Sequence, residues 1–149
     1  MLENELNTIV KHSLERQGGY AYKIPDTFSA EGNRSKAPFD GFAFYKGHFV
    51  SWESKWLPKP MSLNLSRLQD HQLKGLKDTK ALVNDSYALF LVGVNYGNGK
   101  KRVYYFTDLN EIETRRKEKH NILKKEFDTL SNYIIIKKGE IDFSEILGF

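Results

Sequence analysis

The chain has 149 residues, no cysteine, a formal charge of +4 and a pI near 9.1. Disulfides and thiolate metal centres are excluded, and the length suits one compact domain over residues 1–149 rather than two. No apolar run approaches the roughly 18 residues of a membrane span, the amino end reads as an amphipathic helix, and the basic balance favours a polyanionic partner, so a soluble cytoplasmic protein is expected.

The first predicted helix covers about residues 2–18 and ends at Gly18-Gly19. Leu2, Leu6, Ile9, Val10 and Ser13 define its inner face. Glu3 borders that face and is the better candidate for a third acid near a metal; Glu5 falls on the other flank. A carboxylate at a helix amino end is also favourable in its own right. A strand follows over 20–24, stopped by Pro25, and then a loop carries Arg34 and Lys36, the favoured contacts to DNA phosphates.

Residues 39–55 read as a hydrophobic hairpin turning at Lys46-Gly47. Asp40 stands at its start, and Glu53 and Lys55 near its end. Strand alternation puts Glu53 and Lys55 on one face and Trp52, Ser54 and Trp56 on the other. The many aromatic and branched residues suggest a strand pair buried on both faces, where charges need a partner or a task. Two carboxylates can hold Mg²⁺ through hard oxygen ligands, with Mn²⁺ as the alternative ion, and the bound metal favours phosphodiester hydrolysis. Asp40 and Glu53 are thus expected as metal ligands, the Ser54 carbonyl as a further ligand, and Lys55 as the catalytic base or water-positioning cation. An exposed Glu-x-Lys ion pair on its own would contribute only about 0–1 kcal/mol.

Beyond the Pro-rich connection 57–60, in which Lys59 is a further candidate DNA contact, a helix is predicted over 65–83. Leu65, Leu68, Leu76 and Val83 form one stripe with Gln72 near its centre. Gln72 is either a satisfied inward amide or a contact to the attacking water or scissile phosphate. His71, one residue round, faces solvent or DNA. A buried strand over 87–94, a Gly-Asn-Gly turn, a return strand over 102–106, a charged helical region over 108–128 and a strand over 133–137 complete the order. Arg115, Arg116, Lys117, Lys119, Lys124 and Lys125 are mixed with glutamates and read as a solvated helix face. The chain has no G-x-S-x-G, Walker A or H-E-x-x-H motif.

The order of Asp40, a Lys-Gly hairpin and Glu53-x-Lys55 resembles the PD-(D/E)xK nuclease superfamily, with Pro38-Phe39-Asp40 in place of its Pro-Asp. Within it, the segment 40–55 is similar to the Asp-x-x-Gly-x-Tyr-Lys-Gly-x-Tyr-x-x-Phe-Glu-Ala-Lys core of RecU-like Holliday junction resolvases. Leu2-Glu3-Asn4-Glu5-Leu6-Asn7 resembles that family's opening helix, and the segment 65–73 resembles its Asn-Phe-His-x-His-Gln-Ile stretch. Two features depart from the family: Pro38-Phe39 replaces Thr-Thr, and only the short stretch 26–37 stands where the family has a long stalk insertion. The resemblance implies an α/β, restriction-endonuclease-like fold with a mixed central sheet flanked by helices. It further implies a Mg²⁺-dependent endonuclease on DNA four-way junctions, working as a homodimer. A restriction-like or other DNA repair nuclease is the alternative within that class, and a noncatalytic DNA-binding protein on the same fold is the alternative outside it.

Overall fold

The structure is a computed structural model that describes residues 3–25, 27, 28, 34, 35 and 37–149, with side chains excepted at 27, 28, 34 and 35. Helix α1 spans Glu3–Arg16, with Glu3 and Glu5 in its first turn, and Gly18 adopts φ +92° beyond its end. Strand β1 (Tyr20–Lys23) follows, then the short β2 (Thr27–Phe28) and β3 (Arg34–Ser35), which pair with each other. Strands β4 (Gly41–Tyr45) and β5 (His48–Leu57) form the expected hairpin. Its two-residue turn is Lys46-Gly47, with φ of 49° and 80°, the pair of positive values that a tight hairpin requires.

A 3-10 turn at Leu65–Arg67 precedes α2 (Asp70–Leu82), which leads to β6 (Tyr87–Gly97) and β7 (Lys100–Phe106). Helices α3 (Leu109–Lys117) and α4 (Lys124–Phe127), strand β8 (Tyr133–Ile135) and helix α5 (Phe143–Leu147) complete the chain. One sheet runs in the order β1-β4-β5-β6-β7-β8, and β5 pairs parallel with β6 while every other neighbour is antiparallel. The protein is therefore a mixed α/β structure with a six-stranded mixed sheet flanked by helices. Among the described residues, no helix is long and apolar enough to cross a membrane.

Two cores cover the two faces of the sheet. On one face, Leu6, Val10 and Leu14 of α1 and Phe143 and Ile146 of α5 pack on Val50, Trp52, Trp56, Leu89 and Leu91. On the other, Leu73 and Leu76 of α2, Ile112 of α3 and Phe127 of α4 pack on Leu57, Phe90, Val92 and Tyr104. Covered on both sides, β6 reads as a near-continuous apolar run, as central parallel strands do, and β5 is buried from Val50 to Leu57 although it carries Ser51, Glu53, Ser54 and Lys55. A charged side chain on β5 has water on neither face.

Four expectations are corrected. The helix expected over 65–83 is broken: Asn64 accepts the Ser66 N–H at 2.9 Å to cap a short 3-10 turn, and Leu68 and Gln69 are extended. A Gln69–Gln72 capping box then restarts the chain as α2. Val83, expected on the buried stripe, lies beyond α2 and is exposed. The charged region 108–128 likewise divides into two helices, with Lys119 at φ 57° between them.

The hairpin is not buried on both faces throughout. Helix α2 packs on β5 and β6 and leaves that side of β4 open, so Phe44 is 56% exposed. Tyr22, Phe42, Phe44 and Phe49 form an aromatic group there, with ring centroids 5.7 Å apart for Tyr22–Phe42 and 5.6 Å for Phe42–Phe49 and Phe44–Phe49. Two glycines fix the segment around Asp40. A Cβ at Gly41 would lie 2.3 Å from the Trp52 ring, and one at Gly75 of α2 would lie 2.6 Å from the Pro38 carbonyl. Only glycine permits both approaches.

Candidate metal centre

Asp40 enters the site because the β4 ladder ends beside it. Its N–H donates to the Trp52 carbonyl at 3.0 Å and its carbonyl accepts the Ile24 N–H at 2.8 Å. One step further, the Asp40 side chain takes over from the backbone: Oδ2 accepts the Ser54 N–H at 2.7 Å. A residue's N–H and C=O point toward the same neighbour in a strand, so the Ser54 carbonyl is directed to this side as well. The Ser54 hydroxyl, by contrast, is buried on the opposite face with no hydrogen-bond partner among the described residues.

Glu53 and Lys55 project from the middle of β5 toward α2, as alternation predicts, and are 1% and 6% exposed. Lys55 Nζ donates to Glu53 Oε2 at 3.1 Å and to Gln72 Oε1 at 3.4 Å. Gln72 Oε1 also accepts the Gln69 N–H at 2.9 Å, so this amide both caps α2 and abuts the lysine. Glu53 Oε1 is buried with no hydrogen-bond partner among the described residues. A buried carboxylate oxygen without a donor is costly.

The electrostatics follow from this crowding. Burial, and then the neighbouring Asp40 charge, push Glu53 up to about 8, against the pull of Lys55. Burial also raises Asp40 above the usual carboxylate range, opposed by the Ser54 N–H and by Asn7, Glu53 and Lys55. Without a cation, the pair therefore retains a proton at neutral pH.

The consequence for stability has a definite sign. Between the ordinary glutamate value and about 8, the folded chain keeps a proton that the unfolded chain has released, so stability falls as pH rises through this window. The loss is at most about 1.4 kcal/mol per pH unit for one group. Urea unfolding in EDTA should show this decline in the native protein and a flatter profile for Glu53→Gln. A stability that rises from pH 5 to 8 in the native protein alone would contradict the assignment.

The other expected site residues are placed as follows. Glu3 Oε1 accepts from Arg67 Nη2 at 2.5 Å, and Arg67 also reaches the Trp56 carbonyl, so Glu3 closes an ion pair at the far end of β5. Lys59 is exposed just beyond β5 and His71 is half-buried on the first turn of α2. The Arg34 side chain and Lys36 lie outside the described residues.

Asn7 joins the site without having been singled out, and Arg67 ties down Glu3 outside it. Asn7 is buried on α1, accepts the Trp52 Nε1–H at 3.0 Å through Oδ1, and lies beside the Asp40 carboxyl. Arg67 is the partner of Glu3. Asn7 had a sequence signal, since it stands one turn beyond Glu3 and next to the inner-face Leu6. Arg67 had none, because its role depends on the break before α2.

Asp40 and Glu53 are a pair rather than a larger cluster. Among the described residues, no group of three or more His, Cys, Asp or Glu side chains could hold an ion. A pair with a backbone carbonyl still fits Mg²⁺, which keeps several waters and commonly uses one or two carboxylates. Glu53 Oε1 has no donor among the described residues and becomes an oxygen ligand once the proton that the pair holds has left. Compared with known proteins, the chain matches no family model and no curated protein.

Proposed function

We propose that this protein is a Mg²⁺-dependent endodeoxyribonuclease with a restriction-endonuclease-like fold, cutting DNA four-way junctions by paired nicks. The observation that carries this reading is the pairing of half-buried Asp40 with buried Glu53, one oxygen of which has no donor among the described residues, and a lysine on the same strand face. Glu53, Asp40 and the Ser54 carbonyl would hold Mg²⁺ or Mn²⁺, which supplies a hydroxide-like nucleophile and offsets the charge that builds on phosphorus. Ionisation of Glu53 frees it from its proton, and Lys55, steadied by Gln72, orients the attacking water and stabilises the developing negative charge. The basic balance of the chain favours DNA, with Lys59 beyond β5 and His71 on the first turn of α2 as contacts.

Paired cuts on symmetry-related strands call for two copies. The open aromatic group on β1, β4 and β5 supports a homodimer, because an exposed apolar patch of this kind is a common mark of an interface. Phe44→Asp should then shift sedimentation from dimer to monomer while leaving the far-UV spectrum intact; an unchanged dimer would place the interface elsewhere.

Substrate choice is tested by mapping cuts in labelled four-way junction, linear duplex and single-stranded DNA with Mg²⁺ or EDTA. Metal-dependent nicks paired across the junction are expected. Cleavage of linear duplex instead would make this a restriction-like or repair nuclease. Tight binding without any cut would make it a noncatalytic DNA-binding protein.

A further inference from the structure

A cavity of about 630 Å³ opens between the 3-10 turn, the start of α2 and the end of α3, lined by Ser66, Asp70, Arg115, Arg116 and Lys119 among others. Its cations are not equivalent. Arg115 donates to Glu126 at 2.9 Å and lies 3.4 Å from Glu111, and Lys117 lies 3.6 Å from Glu113, so both are matched by acids. Arg116 is matched only in part.

The Arg116 side chain is 19% exposed, and its Nη2 donates to Asp70 Oδ1 at 2.6 Å. Its Nε is buried with no hydrogen-bond partner among the described residues. Nε–H and an Nη2–H form one edge of the guanidinium, the fork that grips a planar or tetrahedral oxyanion through two parallel bonds. Here half of the fork is filled, and by a carboxylate that is itself 96% exposed. Such a screened pair is weak, whereas a buried donor left unmade is costly. An incoming phosphate that displaces Asp70 meets Nη2 first, and engages the buried Nε as well only when the Arg116 side chain turns toward the cavity.

The location suits a substrate strand. Asp70 opens α2, and two residues on, Gln72 meets Lys55; Arg67, on the neighbouring turn, reaches the Trp56 carbonyl behind it. We infer that Arg116, with Lys119, is a phosphate clamp that holds the DNA backbone flanking the Asp40–Glu53 centre, and that Asp70 occupies the clamp until DNA displaces it. This rests on DNA being the partner but not on cleavage. It differs from the solvated helix face expected for this basic run.

The test is DNA binding in EDTA across a salt series, for the native protein, Arg116→Ala, Arg116→Lys and Asp70→Asn, with inorganic phosphate titrated separately. Arg116→Ala should weaken binding evenly across sequences and reduce the slope of log K against log salt by about one. Arg116→Lys keeps the charge and should keep the slope while losing affinity, and it serves if the alanine variant does not fold. Asp70→Asn should tighten binding. An unchanged slope in Arg116→Ala, or an Asp70→Asn that weakens binding as Arg116→Ala does, would overturn the clamp, as would inorganic phosphate binding with no effect on DNA. Normal cleavage with an unchanged slope would sink this inference alone, and binding without cleavage would sink only the nuclease.

Discussion

Glu53→Gln should lower Mg²⁺-dependent DNA cleavage by at least about a hundredfold while leaving DNA binding near that of the native protein. The amide keeps the shape of Glu53 but cannot ionise to the carboxylate that an ion needs, at an oxygen that has no donor among the described residues. Asp40→Asn should have a similar effect, although it also weakens the acceptor that takes the Ser54 N–H and so disturbs the strand end. Lys55→Ala should reduce turnover with less effect on ion affinity, because Lys55 contacts Glu53 and Gln72 rather than supplying a ligand. Single-turnover assays at saturating DNA separate these cases. Undiminished cleavage by both carboxylate variants would remove the proposed centre.

Trp52→Ala should destabilise the fold by about 3–5 kcal/mol in urea unfolding. Trp52 is fully buried between α1 and the sheet, and its ring fills the space that the missing side chain of Gly41 leaves. Its Nε1–H is bound by Asn7, the residue that also lies beside Asp40. Truncation therefore opens a cavity, leaves the buried Asn7 oxygen without its donor and loosens the support of Asp40. Against a typical domain stability of about 5–15 kcal/mol, the loss would be large. A change below about 1 kcal/mol would mean that this contact does not anchor α1.

Much of the centre was legible because strand alternation is a local rule. Glu53 and Lys55 share a face for the same reason that Trp52, Ser54 and Trp56 share the other, and Lys46-Gly47 marks its own turn. The mixed sheet with helices followed from the alternation of apolar runs and amphipathic segments. What escaped depends on tertiary packing or on caps. The break before α2 comes from Asn64 and the Gln69–Gln72 box, which interrupt a leucine pattern that looks continuous. Helix α5 is short, and its signals were the Asp142 cap, which accepts the Ser144 and Glu145 N–H groups, and Gly148 at φ 76°. The exposed side of β4 could not be read from Phe42 and Phe44, since exposure there depends on where α2 crosses the sheet. Gln72 shows the same limit, because its capping bond and its contact to Lys55 use one oxygen.

Binding of Mn²⁺, followed by electron paramagnetic resonance, tests the Asp40–Glu53 centre most directly. One ion per chain is expected, bound more tightly as pH rises from 6 to 8 because Glu53 must lose its proton, and lost in both Asp40→Asn and Glu53→Gln. No bound ion in the native protein, or the same affinity in all three proteins, would contradict a metal site at these carboxylates.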